Sequence, residues 1–222
     1  MRSSCASISR ARPLLGTLVE IRICGAGQAA LRAVERAFSA IERVHRAMSA
    51  QDTTSDIARL RAGRLRALDP WTRRVVDRAE ELREATDGLF DCGACDYALD
   101  GIAKGFAVDR AVESLQAAGV PAGVVNAGGD LRVFGDAFEE IHVRPPAAPW
   151  TLVHIGRVRD AAVATSSSAL LVDPRRRAAR ATLPGITVIA PDCATADALT
   201  KPCLLEPQRA AQFAARFGAR CL

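Results

Sequence analysis

Lysine is almost absent from this sequence: Lys104 and Lys201 are the only lysines among 30 basic residues, and arginine supplies the rest. A lysine ammonium is a compact point charge, whereas an arginine guanidinium is a planar fork, so the two lysines are the first candidates for specific ligand contacts. Histidine is also scarce, with three in 222 residues. No Ser/His/Asp arrangement can be assembled from so few, and no residue stands out as a general base.

Aromatic residues and long apolar runs are lacking as well. Aromatics make up 5% of the chain, so aliphatic side chains and alanine must fill the core. No apolar run approaches the roughly 20 residues that a membrane helix needs, and we expect no membrane span. The net charge is +5, but there is no basic groove studded with aromatic residues. We therefore expect a solvated, arginine-rich surface and no nucleic-acid partner.

The seven cysteines do not indicate a disulfide framework, because their number is odd and their spacing follows no such pattern. Reduced thiols are expected, and the first residues lack the apolar segment of a secretory signal, so we predict a cytoplasmic location. Cys92 and Cys95 form a single C-x-x-C pair. Without a second pair or a nearby histidine, it does not predict a zinc site.

Helix patterns come early in the chain and strand patterns come mostly later. An alternating strand, Thr17–Cys24, precedes a helix whose apolar side chains recur at three- and four-residue spacing from Leu31 to Met48. Five strand candidates lie between Ala122 and Thr165, and Ile186–Ala190 is a further strand. This order predicts an α+β fold with a mixed or antiparallel sheet flanked by helices. No linker divides the chain, so we predict a single domain over residues 1–222.

The stretch LDGIAKGFAVD, residues 99–109, predicts a helix start with Lys104 in the first turn. The helix macrodipole is positive there, so a cation is unfavourable unless an anion offsets it. Free backbone N–H groups and an ammonium together would make a phosphate site, and Gly105 would let a ligand approach closely. The alternative is a lysine whose stem lies along the surface with its ammonium in solvent. The spacing alone leaves both interpretations open.

A second stretch, VVNAGGDLRVFG, predicts a strand, a turn and a strand over residues 124–135. Gly128 and Gly129 can adopt positive φ at the turn and expose backbone to a ligand. Asn126 and Asp130 frame that turn. An ordinary hairpin is the alternative, and the local pattern alone favours it.

A third stretch, ATADALTK, begins a helix after the strand ITVIA. Asp197 and Thr200 are three residues apart and therefore neighbours on one helix face. A carboxylate and a hydroxyl are hard oxygen donors of the kind that Mg²⁺ prefers, usually together with waters and substrate phosphates. A capped, solvated helix start would show the same pair, so the two interpretations stay open here too.

Taken together and in order, these stretches resemble the ApbE family of FAD:protein FMN transferases over nearly the whole chain. The resemblance implies the α+β fold of that family and a Mg²⁺-dependent reaction. In that reaction the FAD pyrophosphate is cleaved, FMN is transferred to a threonine hydroxyl of an acceptor protein, and AMP is released. Some members hydrolyse FAD to FMN and AMP. The matching segments are ARPLLGTLVEI, IERVHRAMSAQDTTSDIARL, GLFD, LDGIAKGFAVDRAVESL, VVNAGGDLRVFG, VATSS and ITVIAPDCATADALTK.

The resemblance also implies roles for single residues. Lys104 would lie against the FAD phosphates and, together with Asp197, carry the catalysis. Asp197, Thr200 and the main-chain carbonyl of Gly101 would hold Mg²⁺. The other FAD-binding positions that it implies are Leu15, Leu89, Phe90, Asp91, Ala98, Asn126, Gly128, Gly129, Asp130 and Ser166.

The sequence departs from the family pattern at several motif positions. Ala98 stands where a polar residue is usual, Arg61 where an asparagine is usual, and Ser167 where a glycine is usual. Lys201 stands where the last motif often has a threonine, and it could neutralise phosphate charge if metal binding were weakened. The family's histidine after Ser167 is missing. The alternative to a transferase is therefore a catalytically degenerate FAD-binding protein or an FAD pyrophosphatase.

Overall fold

The computed structural model describes residues 6–64, 68–145, 148, 150–167, 170–181 and 185–222. Helices and strands alternate irregularly along these ranges. The helices are α1 (Gly27–Ala47), α2 (Asp56–Arg61), α3 (Pro70–Ala85), α4 (Ala103–Ala117), α5 (Cys193–Leu205) and α6 (Ala210–Ala215). The strands are β1 (Ser7–Leu14), β2 (Thr17–Cys24), β3 (Gly123–Ala127), β4 (Asp130–Phe134), β5 (Glu139–Val143), β6 (Val153–Val158), β7 (Ala162–Ser166), β8 (Leu170–Asp173), β9 (Ala178–Ala181), β10 (Ile186–Ala190) and β11 (Arg220–Cys221).

Seven of the strands form one sheet in the order β1-β2-β3-β4-β7-β10-β11, and β5-β6 and β8-β9 form two small sheets. Every strand pair in the described ranges is antiparallel. The predicted α+β fold is therefore confirmed. The single-domain organisation over residues 1–222 stays a prediction.

The large sheet is covered on both faces, as the alternation along its strands requires. Inward residues of β2, β3, β7 and β10 share one hydrophobic core with helices α1, α4 and α5. On the other face, Val124, Leu131 and Val163 pack with Ile141 and Val158 from the β5–β6 hairpin. The helices that carry the predicted functional residues therefore lie together on one side of the sheet.

Helices α4 and α5 lie antiparallel and unusually close to each other. A Cβ atom at Gly105 would lie 2.2 Å from the carbonyl oxygen of Cys193, a distance that no side chain tolerates. Gly105 therefore faces α5, which differs from the expectation that it opens space for a ligand. The same register brings Gly101 beside Lys201 at the opposite end of α5.

The strand predictions have different outcomes. Strands β2 and β10 have the predicted bounds, whereas β1 and the β8–β9 hairpin were not predicted. The prolines of Pro145–Pro149 predict an exposed loop, and most of that stretch lies outside the described residues. In the ranges given above, no helix combines the length and the apolar character needed to cross a membrane.

Candidate functional site

Two hairpin turns lie next to each other at the same end of the strands of the large sheet. The β1–β2 turn, Leu15–Gly16, and the β3–β4 turn, Gly128–Gly129, have positive φ at both residues, the conformation of tight hairpin turns. A Cβ at Gly128 would lie 2.3 Å from the Thr17 hydroxyl, so glycine is required there by the neighbouring hairpin. Gly129 faces open space, and its N–H donates to the Asn126 side chain at 2.8 Å. The second turn is thus an ordinary hairpin that starts β4 with Asp130.

Lys104 is ion-paired with Asp130. Its Nζ lies 2.8 Å from Oδ2 of Asp130, whose side chain is 5% exposed against 35% for Lys104. Burial, together with the charge of Asp197, raises the pKa of Asp130 to about 6 although Lys104 and Lys201 oppose the shift. Burial lowers the pKa of Lys104, but the attraction of Asp130 and Asp197 outweighs it, so the net direction is upward. Lys104 is therefore protonated at neutral pH.

Asp197 caps the N-terminus of α4. Helix α4 begins after Ile102, which offers no side-chain acceptor for the free N–H groups of the first turn. Oδ2 of Asp197 instead accepts the Gly105 N–H at 3.2 Å. The carboxylates of Asp197 and Asp130 at this helix start offset the unfavourable position of the Lys104 cation.

The second lysine occupies the other oxygen of the same carboxylate. Lys201, one helical turn after Asp197, pairs with Oδ1 and also donates to the Asp197 carbonyl oxygen at 2.9 Å. The Thr200 hydroxyl donates to that same carbonyl oxygen at 2.7 Å. Lys104, Asp130, Asp197 and Lys201 thus form one group of charges, here called the two-lysine cluster.

At the other end of the α4–α5 contact, a side chain of α4 caps the N-terminus of α5. Both oxygens of Asp109 on α4 accept main-chain N–H groups at the start of α5, from Cys193 and Ala194, each at 2.9 Å. Arg132 on β4 adds an ion pair to Asp109 at 2.7 Å. Burial raises the pKa of Asp109 to about 6, although Arg132 and the two N–H groups oppose the shift. The two helices therefore cap each other, which fixes Asp197 relative to Lys104.

Two clefts open beside the two-lysine cluster, and Asp100 lines both. The first, here the Lys104 cleft, has a volume of about 450 Å³. The second, here the Lys201 cleft, has a volume of about 200 Å³. Leu15, His45, Gln51 and Lys104 are among the residues that line the first. Leu89, Phe90, Asp91, Ala98, Gly101 and Lys201 are among those that line the second.

The predicted site residues fall into two groups by position. Seven of them line one of the two clefts: Leu15, Leu89, Phe90, Asp91, Ala98, Gly101 and Lys104. The others line neither cleft in the part of the chain that the structure describes: Asn126, Gly128, Gly129, Asp130, Ser166, Asp197 and Thr200. Asp130 and Asp197 nevertheless form ion pairs with the lysines, Asp130 with Lys104 and Asp197 with Lys201. Ser166 ends β7 opposite Ile186.

Several residues at the site were missed or misjudged from the sequence. Asp100 stands between the two clefts, yet its position before Gly101 indicated only a helix start. Arg61, a departure from the family pattern, donates to the carbonyl oxygens of Asp96 and Ala50, each at 3.1 Å. It thereby ties the wall of the Lys104 cleft to the segment before α4. The carbonyl contacts span different loops, so no local signal could have found them.

The predicted magnesium donors do not fit a magnesium ion as they are arranged. Mg²⁺ demands near-octahedral oxygen ligands at about 2.0–2.1 Å. Both carboxylate oxygens of Asp197 are engaged, by Lys201 and by Gly105, and the Thr200 hydroxyl donates to main chain. A Cβ at Gly101 would lie 3.3 Å from Cε of Lys201, so the lysine stem lies beside the residue that was predicted to supply the third ligand. Among the described residues, no group of three or more His, Cys, Asp or Glu side chains could hold a metal ion.

Comparison with known proteins identifies a sequence family and several similar folds. The sequence profile of the ApbE family matches residues 15–98 and 94–222. No curated protein sequence matches the chain. The fold is similar to that of the flavin transferase ApbE from Vibrio cholerae, at 18% identity and a TM-score of 0.80, over 98% of this chain and 93% of that one.

Two further solved structures have the same architecture. The flavinyl transferase ApbE of Pseudomonas stutzeri in its apo form has a TM-score of 0.79 at 18% identity, over 97% of this chain and 90% of that one. The ApbE protein of Thermotoga maritima has a TM-score of 0.82 at 21% identity, over 98% of this chain and 94% of that one. Identities this low show a shared fold, while the profile match carries the family assignment.

Proposed function

The chain belongs to the ApbE family, and from this premise we propose that it binds FAD and transfers FMN from it to a threonine hydroxyl of an acceptor protein. The observation that carries the proposal is the two-lysine cluster between two clefts. Lys104 lines one cleft, Lys201 lines the other, and Asp100 lines both. A dinucleotide with a diphosphate at its centre suits such an arrangement, because its two ends can occupy different clefts.

The transfer requires one bond to form and one to break at the FMN phosphorus. The acceptor hydroxyl oxygen would bond to that phosphorus, the hydroxyl proton would be released, and the phosphoanhydride bond to AMP would break. Negative charge grows on the phosphoryl and leaving oxygens, so neutralisation and positioning are the main demands on the protein. Lys104, held by Asp130 at the start of α4, is the group that we assign to this neutralisation.

The test follows both products of the reaction. Purified protein, FAD and an acceptor that bears a threonine should give a fluorescent acceptor and free AMP, measured by in-gel fluorescence and chromatography. Lys104→Ala should abolish both signals. Arg36→Ala, which removes the same charge from the exposed side of α1, should leave both unchanged. Neither product from the wild-type protein would contradict the proposal.

A catalytically degenerate FAD-binding protein is the second candidate, and one contact favours it. Asp197 is already neutralised by Lys201, so the carboxylate offers less to a metal ion or to a reacting group. This candidate predicts FAD binding without release of AMP. An FAD pyrophosphatase would instead release both AMP and FMN when no acceptor is present. The same assay, run with and without acceptor, separates the three outcomes.

A further inference from the structure

We propose that the Lys201 ammonium takes the place of the divalent cation in this chain, so that FAD binds without a metal. The proposal rests on the FAD binding proposed above. Its structural basis is the disagreement between the predicted magnesium donors and their observed partners. The same lysine pairs with one predicted ligand, Asp197. Its Cε also lies beside the residue of a second, 3.3 Å from where a Cβ of Gly101 would be.

The position of Lys201 is fixed by helix geometry and by burial. Residues four apart lie on the same helix face, so Lys201 follows directly over Asp197 on α5. The Asp197 side chain is 3% exposed and that of Lys201 is 23% exposed. The pair is therefore shielded from water, and its attraction is screened less than that of a surface ion pair. The ammonium pairs with the carboxylate, and the Lys201 side chain is among those that line the Lys201 cleft.

A metal ion and this ammonium compete for the same space. A cation at Oδ1 of Asp197 would meet a like charge at contact distance, and repulsion between close charges is strong where the effective dielectric is low. Mg²⁺ also gives up its waters reluctantly and needs several well-placed oxygens in return. The second oxygen of Asp197 accepts the Gly105 N–H, so one of its acceptor directions is taken. Oδ1, which pairs with Lys201, is therefore the oxygen that a metal would need. Binding of a metal would therefore require Lys201 to leave.

Replacing a divalent cation by the Lys201 ammonium exchanges a charge of +2 for a charge of +1, and this changes how phosphate can be neutralised. An ammonium offers three donors without a fixed coordination geometry, so it can hold phosphate oxygens but neutralises less charge. The two-lysine cluster contains two carboxylates besides its two ammonium groups. Because Lys201 occupies the predicted metal position at Asp197, we expect FAD binding to be independent of metal and turnover to gain nothing from added Mg²⁺.

The first experiment measures metal binding without FAD. Mn²⁺ is titrated into the wild-type protein and into Lys201→Thr, and free Mn²⁺ is followed by its electron paramagnetic resonance signal. We expect no saturable site in the wild type and one Mg²⁺-competed site in Lys201→Thr. One saturable site in the wild type, lost in Asp197→Asn, would overturn the proposal. This readout is independent of whether the protein binds FAD.

The second experiment measures FAD affinity by flavin fluorescence, in EDTA and in excess Mg²⁺. The wild type should bind equally in both, whereas Lys201→Thr should bind about tenfold more weakly in EDTA and recover with Mg²⁺. Arg36→Thr is the charge-matched control and should behave as the wild type. Loss of wild-type binding in EDTA alone would refute the inference. Loss in both conditions would refute FAD binding itself, and the Mn²⁺ titration would still decide the metal question.

Folding of the variants is checked by thermal unfolding. Lys201→Thr should melt below the wild type in EDTA. Mg²⁺ should raise its melting temperature but not that of the wild type, because a ligand stabilises a protein only when it binds the folded state. If Lys201→Thr does not fold, Lys201→Gln carries the same expectations. A rise in the wild-type melting temperature with Mg²⁺ would count against the proposal.

Discussion

The two ends of the α4–α5 pair use the same capping chemistry with different cations. At one end Asp109 caps α5 and pairs with Arg132. At the other end Asp197 caps α4 and pairs with Lys201, while Lys104 pairs with nearby Asp130. Both lysines of a chain rich in arginine lie at this second end.

The difference follows from the chemistry of the two cations. The arginine guanidinium is rigid, always charged and suited to fixed carboxylate geometry, so it serves a structural end well. The lysine ammonium is a compact charge on a flexible stem and can contact a protein carboxylate and a ligand in turn. The arginine end therefore holds the helices together, although a cleft of about 210 Å³ opens there too. The lysine end lies beside the Lys104 cleft and the Lys201 cleft.

Gly105→Ala should have the largest effect, because it disturbs both ends at once. Its Cβ would lie 2.2 Å from the Cys193 carbonyl oxygen, and backbone cannot move aside without separating the helices. We expect a loss of about 3 kcal/mol in the free energy of unfolding, measured in urea. Ala107→Gly on the same helix is the control for backbone flexibility and should cost about 1 kcal/mol plus the small loss of packing. A Gly105→Ala protein as stable as the wild type would contradict the close packing.

Asp109→Ala tests the arginine end alone. It removes the acceptor of two main-chain N–H groups and leaves Arg132 without its carboxylate. Loss of a cap costs about 1 kcal/mol, and loss of the ion-pair partner adds a similar amount, so we expect about 2–3 kcal/mol. FAD affinity of the folded protein should fall far less than in Lys104→Ala, because Asp109 acts on the lysine end only through the helix packing. A large loss of FAD affinity without a loss of stability would show that this end takes part in binding.

Local elements could be predicted well from the sequence, whereas most contacts between elements could not. Strand β10 combines β-branched residues in a short apolar run, and its predicted bounds are those observed. Strand β1 lies at the sheet edge, mostly exposed and rich in polar residues, so it carries no alternating apolar signal. The Lys201–Asp197 pair follows from four-residue helix spacing and was available from the sequence. The Lys104–Asp130 pair joins two separate segments, and no local pattern contains it.

Lys104→Ala tests the lysine end and should cost less stability than Asp109→Ala. It leaves the buried Asp130 carboxylate without its ion-pair partner, but Lys104 is itself one third exposed. We therefore expect about 2 kcal/mol, below the roughly 3–5 kcal/mol for breaking a fully buried pair. FAD affinity, measured by fluorescence, should fall at least about tenfold. Lys104→Arg keeps the charge and should recover most of the stability but little of the affinity. Full affinity in Lys104→Ala would remove this lysine from the proposed site.

The last prediction concerns how stability depends on pH. The folded-state pKa of Asp130 is about 6, above its ordinary value of 3.8. Between these two pH values the folded state therefore binds more protons than the unfolded state. The contribution of Asp130 to the free energy of unfolding is largest below about pH 4 and falls as pH rises towards 6.

Asp130→Asn removes that titration, and the comparison isolates it from the remaining carboxylates. The groups that face Asp130 are Lys104 on α4 and Asp197 and Lys201 on α5. Relative to this variant, the wild type should lose stability as pH rises through the window, by up to about 3 kcal/mol if the full separation of the two pKa values is expressed. Urea unfolding at several pH values measures the difference. Relative to Asp109→Asn, the wild type should also lose stability as pH rises, because the pKa of Asp109 is likewise raised to about 6. A difference that grows in the opposite direction would mean that the lysine holds Asp130 ionised more strongly than burial opposes it. The cluster would then bind an anion less readily than we propose, because its positive charge would already be committed.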